Sequence, residues 1–490
     1  MWKVAPKWLW LAVIVGSLTG WLFPFTFQRQ EPWGELFREE RRGLALSPRE
    51  RIYQLNTDQF HDWIPLIKDF PFFYSREHYR EGVGTAVVRI NRPVYPGSVS
   101  ALCRLSQGFQ SLIRANPQSA KIGCEYAQAM ASGAVLNWVL FVWSAVAFYR
   151  LLLAWNVGAR IATLSATHYA MSPFILFHLL DVSSNLIAFP IAVATLWIFT
   201  RLAQRHADTG WVSQPLIYGL GLGALMLGRA QYDVVCVGWF ALSYLRRWGA
   251  MFISFASHLV PLLAWIGLIT LFGLRYYDPQ YYEGIWLFRE FFYWPLWDQF
   301  HRVAEHTVVY ELDLLAAFSP VTLFFVIFGL RRLIAENMWK ALALVCLSLF
   351  INWLFTLAIQ REYSVLYVGE LFFVIYPVAS LGVTTVARRF SARIQRLVMM
   401  LYLASSVGLQ WAFMYLDTHL DYLQGALSVD IMAMIRSLWT ARVELLSNLI
   451  LMSAVMVLLM SWRRSGRNGV FVGREQARAI IAERQNTFPD

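Results

Sequence analysis

The 490-residue chain is poor in charge. Only 15% of its residues are Asp, Glu, Lys or Arg, where an ordinary soluble domain carries roughly 25%. No water-facing surface can be assembled from so few charges. A string of soluble domains is therefore excluded, and so is a disordered or nucleic-acid-binding chain. The chain has only four cysteines, too few for a disulfide scaffold. It also lacks any repeat of its first half in its second. No small-x-small cleavage site follows the N-terminal apolar run, so that run reads as an uncleaved anchor rather than a secretory signal.

What is abundant is apolar surface. The apolar set makes up 58% of the chain and the aromatics 16%, with a mean hydropathy of +0.45. This is the composition of an integral membrane protein. A bilayer core of ~30 Å requires roughly 20 residues of helix. The N-terminal run Trp8 to Phe25 meets that length, and apolar segments recur at 132–154, 160–177, 185–203, 213–228, 232–246, 250–273, 314–331, 339–359, 365–386, 397–415 and 443–462. With the anchor they make about twelve expected spans. The pieces at 213–228 and 232–246 are short, which predicts tilted, broken or shielded helices.

The predicted organisation has four parts: an anchor over 1–25, a polar excursion over 26–130, a helical bundle over 131–462 and a polar tail over 463–490. The excursion holds clustered charges and prolines between short apolar stretches, a pattern that predicts amphipathic helices at the bilayer surface. The segments 274–313 and 416–442 are aromatic and weakly charged, and they are expected to lie on the membrane in the same way.

The net charge of +11 follows from where the arginines fall. Arg150 with Arg160, Arg201 with Arg205, Arg246 with Arg247, Arg331 and Arg332 with Lys340, Arg388 to Arg396, and Arg463 to Arg467 all lie in alternate loops. Cytoplasmic loops carry such an excess. Both termini are thus expected in the cytoplasm, of a bacterial plasma membrane, and the excursion outside it. Nucleic acid is not needed to explain the basic balance. Cys236 and Cys346 fall in apolar runs and are expected in the core. Cys103 and Cys124 share the excursion, where a bridge is open to them in an oxidising compartment.

Charges beside the bilayer are costly and need a reason. Those at the outer helix ends are Asp58, Asp62, Glu77, His78 and Arg92, then Asp181, Arg229 with Asp233, and Arg361, Glu362 and Glu370. The bland alternatives are helix capping for Asp58, Asp62 and Asp181, solvation for Glu77 and His78, snorkelling for Arg92, outer-leaflet anchoring for Arg229, and mutual pairing for Arg361 and Glu362. The glycines at 219–228 read as small-residue helix packing rather than a phosphate loop.

Four stretches in this order carry a resemblance. They are Asn56-Thr57-Asp58-Gln59-Phe60-His61-Asp62-Trp63, Asn91-Arg92-Pro93-Val94-Tyr95-Pro96, Ser172-Pro173-Phe174-Ile175-Leu176 leading to Leu180-Asp181, and Gly219 to Leu225 ending at Gly228-Arg229. Over roughly residues 1–390 the chain resembles the GT-C-type glycosyltransferases, polytopic enzymes that use polyprenyl-phosphate-linked sugars. The aminoarabinose transferases and protein O-mannosyltransferases are among them. The resemblance implies an all-α polytopic fold with a large first extracytoplasmic loop of interfacial helices. It implies an inverting transfer of sugar from a polyprenyl-phosphate donor to a hydroxyl on an acceptor lipid, glycan or protein.

On that resemblance Asp58 is the expected general base, with Asp62 the further carboxylate of the same segment. Arg92 is expected at the donor phosphate. Tyr95, Asp181, Arg229, Arg361, Glu77 and His78 are expected to line the substrate. Some relatives place an acid immediately before the basic residue of the Arg-Pro pair, where this sequence has Asn91. Glu77 and His78 could supply the missing group, and whether a divalent cation takes part is left open. Competing readings are a transporter or flippase of a lipid-linked solute, a noncatalytic scaffold of the same fold, and a glycan polymerase or ligase. The large loop of this chain follows the first span, whereas a polymerase places its main loop late.

Overall fold

A computed structural model describes residues 6–26, 67, 92–114, 126–179, 186–204, 212–229, 232–272, 293–357 and 364–424. Among the described residues the chain is helical throughout, with no strand. The helices are α1 (Lys7–Thr26), α2 (Val94–Arg114), α3 (Tyr126–Ala154), α4 (Ala159–Met171) and α5 (Pro173–Leu176), which runs into a 3-10 turn at Phe177–Leu179. After these come α6 (Ala188–Gln204), α7 (Ser213–Met226), α8 (Tyr232–Tyr244), α9 (Trp248–Leu271), α10 (Leu296–Phe318) and α11 (Pro320–Ala335). The last are α12 (Trp339–Leu357), α13 (Ser364–Gly369), α14 (Phe372–Ala387) and α15 (Ala392–Gln424).

Three of these helices contain stretches long and apolar enough to cross a membrane: Ala131–Ala154, Trp248–Leu271 and Trp339–Leu357. Shorter apolar helices cover Lys7–Gly20, Ala188–Gln204 and Phe372–Ala387. The bundle's flanks are apolar as well. Trp8, Leu18, Phe252, Leu263 and Phe350 are all exposed, and apolar flanks on this scale mark a membrane-contacting surface. The same surface corrects the expectation for two cysteines. Cys236 and Cys346 are exposed and unbridged, because in a bundle with apolar flanks an apolar run does not distinguish inward from outward positions.

Most expected spans meet a helix within a few residues, but three differ, among them 365–386, which is divided into α13 and α14 at residues 370 and 371. The expected span at 160–177 is broken: α4 stops at Met171, Ser172 is extended, and Pro173 starts a new turn because a proline is tolerated in a first turn and not in a helix interior. The expected span at 314–331 is divided at Ser319, whose φ of 65° ends α10. Ser319 then caps α11, accepting a hydrogen bond from the Thr322 N–H at 3.4 Å, with Pro320 at the first helical position. The segment just before it, expected as a helix lying on the membrane, forms most of α10 and buries His306 and Tyr310 in the bundle, as the end of α10 buries Leu315 and Phe318. Acids interspersed along α10 hid this inward stripe. The expected span at 443–462, the segment 425–442 and the tail 463–490 lie outside the described residues.

Small residues set two close helix crossings. α11 and α14 run parallel and touch at Gly329 and Gly382. A Cβ at Gly329 would fall 2.0 Å from the Val378 carbonyl oxygen, and one at Gly382 would fall 2.0 Å from that of Phe325. The glycine run of α7 lies on α9 in the same way, with Gly219 against Ser254 and Ser257 and Gly223 against His258 and Pro261. This is the small-residue packing expected of that run.

Two apolar cores meet on α6. Phe189, Ala192, Val193 and Leu196 face the larger core, built with α1, α3, α4 and α14. Ile187, Ile191, Phe199 and Leu202 face the smaller one, which contains Tyr95, Val99 and Cys103 of α2. Helix α2 is therefore amphipathic, as expected, and packs on the bundle along one stripe. Cys103 on that stripe is disulfide-bonded; Cys124 lies outside the described residues.

The helix ends sort into two groups. Arg160 reaches Gln395 at 3.5 Å, Arg332 reaches Thr385 at 3.2 Å, and Lys340 lies 5.3 Å from the ring of Tyr244. These contacts gather the arginine-bearing turns at one end of the bundle. The opposite ends of α8 and α14 carry Asp233 and Glu370.

Candidate functional site

At that second end the bundle buries charge. Arg229, Asp233 and Glu370 are 3%, 4% and 0% exposed. Arg229 follows the C-terminus of α7, its backbone N–H donating to the Leu225 carbonyl. Asp233 sits in the first turn of α8. A cation after a helix C-terminus and an acid at the next N-terminus both complement the helix dipoles. Glu370 lies in the bend between α13 and α14, so three separate corners of the fold supply the three charges.

Arg229 Nε is 3.5 Å from Glu370 Oε1, and its guanidinium carbon lies 5.1 Å from the centroid of the Tyr367 ring. Asn352, in the apolar helix α12, joins the parts. Its Nδ2 donates to Asp233 Oδ2 at 3.2 Å and to the Tyr367 carbonyl at 3.0 Å. Its Oδ1 accepts from the Tyr310 hydroxyl at 3.1 Å. One turn along α10, His306 Nε2 meets Thr356 Oγ1 at 3.2 Å. The arrangement is a guanidinium set among carboxylates, an amide and aromatic faces. It can hold an ion pair out of water and fix the bend after α13. With Arg229 at its centre it is no cation cradle, and among the described residues no group of three His, Cys, Asp or Glu side chains comes together to hold a metal.

Beside this cluster lies a neutral one. The Tyr95 hydroxyl of α2 donates to Asn137 Oδ1 on α3 at 3.2 Å, and Asn137 Nδ2 donates to the His178 carbonyl at 3.5 Å. Phe174 stands between the clusters. Its ring meets that of His178 edge-on at 5.9 Å, and its other side fills the space over Gly369, where a Cβ would fall 2.1 Å from Phe174 Cε1. Any side chain at Gly369 would collide with that ring, so glycine is required next to Glu370.

The expected site residues divide accordingly. Arg92 is half-buried immediately before α2, and Tyr95 is fully buried at the same end of the bundle as Arg229. Tyr95 spends its hydroxyl on Asn137 and so ties α2 to α3. Arg229 is no exposed outer-leaflet anchor, because it is enclosed by Glu370 and Tyr367. Asp58, Asp62, Glu77, His78, Asp181, Arg361 and Glu362 lie outside the described residues. Sequence reading passed over Asn352, Tyr310 and Tyr367. A lone amide inside the apolar run of α12 was the available signal for Asn352.

A third polar group contains no Asp, Glu, Lys or Arg. His168 Nδ1 and the Tyr402 hydroxyl are 2.9 Å apart, His168 Nε2 and Ser406 Oγ 3.1 Å, and Ser406 Oγ and Ser319 Oγ 2.8 Å. Thr322 also bonds Ser406. The Tyr376 ring stacks on His168 at 4.1 Å and its hydroxyl donates to Ser172 at 2.9 Å. Each group meets another, so this network ties α4, α11, α14 and α15 together and holds Ser319 in its strained turn. No protein-family model, curated protein or solved structure matches the chain.

Proposed function

We propose that the chain is a GT-C-type glycosyltransferase, moving a sugar from a polyprenyl-phosphate donor to an acceptor hydroxyl at the outer face of a bacterial plasma membrane. The observation that carries this reading is the enclosed cluster of Arg229, Asp233 and Glu370. It lies at the end of an apolar bundle remote from the basic turns, where the first-loop helix α2 is tied down. Burying several ions costs several kcal/mol each before pairing, and a purely spanning bundle has no use for them. Positive loops prefer the cytoplasm, which supports assigning the arginine-rich end, and both termini, to that side. The disulfide at Cys103 supports an oxidising compartment for α2.

In this reading Asp58 removes the proton from the acceptor hydroxyl. The acceptor oxygen attacks the anomeric carbon opposite the phosphate, the sugar–phosphate bond breaks, and the configuration inverts. Arg92, at the mouth of α2, takes the charge that develops on the leaving phosphate. On the resemblance, Asp62, Glu77, His78, Asp181 and Arg361 are assigned to substrate binding. Arg229 is assigned to the same substrate-binding group, positioned by Glu370, while Asn352 holds Asp233 beside it.

Labelled polyprenyl-phosphate sugar supplied to membranes tests the assignment. Asp58→Asn is expected to lower transfer by at least ~10²-fold with the protein present at its normal level, and unchanged transfer would overturn it. One observation favours a second reading. Asp233 and Glu370 are acids inside the bundle, and intramembrane acids mark transport pathways. Reconstituted vesicles that accumulate the lipid-linked sugar on the far leaflet, without transfer and in a Glu370-dependent way, would support a flippase instead.

A further inference from the structure

The outward face of α15 is divided along its length. Arg393, Arg396, Leu397, Met400 and Leu401 fall at helical spacings that share one stripe, and all five are exposed. The first turn of the stripe is basic. Beyond it Leu397, Met400 and Leu401 are 50%, 57% and 58% exposed, an unbroken apolar strip. The opposite face of α15 carries Tyr402, Ser406 and Gln410 inward, so the orientation of the helix is fixed by the neutral network.

Neighbouring elements add charge of the same sign. Arg388 and Arg389, both exposed, precede the helix, and Arg160 of α4 joins it through Gln395 at 3.5 Å. No Asp or Glu occurs within 131–180 or 371–416, the stretches that build this corner. The acid of the adjoining corner, Glu336, is held by Arg332 at 2.7 Å. The patch is thus basic at one level and apolar immediately beside it, with a half-exposed Phe390 in its turn. Guanidinium groups bind phosphate oxygens through paired N–H donors.

We infer that this corner binds an anionic phospholipid, its phosphate at Arg393 and Arg396 beside Arg388 and Arg389, and its acyl chains along Leu397, Met400 and Leu401. Charge complementarity selects the headgroup, and the continuous apolar strip selects a lipid over a free anion. The site is independent of the sugar-transfer reading, since it lies at the other end of the bundle.

The purified full-length protein, delipidated in neutral detergent and titrated with phosphatidylglycerol, gives the test by native mass spectrometry. The wild type is expected to retain the lipid, and Arg393→Gln with Arg396→Gln to weaken retention at least tenfold. Arg246→Gln with Arg331→Gln, equally exposed basic positions elsewhere, should leave retention unchanged, as should replacing phosphatidylglycerol by phosphatidylcholine in the mutant. Leu397→Gln should weaken the long-chain lipid and spare a short-chain one. Equal losses from both arginine pairs would show charge without a site. Full competition by inorganic phosphate would show an anion site with no lipid preference. Either result overturns the proposal, and because the substituted side chains are exposed, unchanged helicity by circular dichroism separates both from misfolding.

Discussion

The bundle contains two buried polar regions of opposite character. Around His168 the groups are hydroxyls, rings and an imidazole with no Asp, Glu, Lys or Arg among them, and they meet one another across helices. Around Arg229 the groups are ionised residue types supplied by corners between helices. A neutral network joins helices at modest cost, worth roughly 0.5–1.5 kcal/mol per hydrogen bond. A buried ion pair contributes little net stability yet is costly to break. The neutral region thus reads as a fastener. The charged one gains little net stability from its pairing, and the proposed function gives it a use.

The contrast can be broken first at Glu370. Glu370→Ala removes the carboxylate 3.5 Å from the Arg229 guanidinium and is expected to destabilise the protein by about 3–5 kcal/mol, measured by denaturant unfolding in detergent. Replacing both partners (Arg229→Met with Glu370→Met) should recover most of that loss while leaving any sugar transfer impaired. Full recovery of both would make the pair structural only.

A smaller effect is expected at the fastener. His168→Leu deprives Tyr402 and Ser406 of their shared partner and should cost about 1–3 kcal/mol in the same unfolding measurement, with transfer by the folded fraction unchanged. Gly382→Ala tests the packing that supports it. Its Cβ would meet the Phe325 carbonyl, and overpacking of this kind costs typically about 1–3 kcal/mol. The smallest change is expected at Cys236, exposed on the flank. Cys236→Ala should stay within about 0.5 kcal/mol of wild type, and a larger shift would mean that this flank is covered by a partner.

Helix positions were largely legible in the sequence because hydrophobic runs and the arginines that end them are local signals. α3, α6, α9 and α12 fall close to their expected spans for that reason. The break at Ser319 was missed, since Ser-Pro inside an apolar run marks a helix start only when the preceding turn is recognised. A helix was expected near α10, but the burial of His306, Tyr310 and Phe318 was not legible, because acids are interspersed with them along the sequence. Of the candidate site, Arg229 and Glu370 stood out as charges at helix ends, but nothing local paired them. They are far apart in sequence, and the residue that organises their surroundings, Asn352, sits within a run that otherwise reads as plain span.

The sequence by itself determined the apolar, helical character of this protein and the gathering of its arginines into alternate turns, because both follow from composition and spacing along the chain. The tertiary structure alone decided which charges are enclosed together and which face of each helix turns outward. Those outcomes depend on how glycine crossings and corners bring distant segments into contact, and an apolar run looks the same from either side until it is packed.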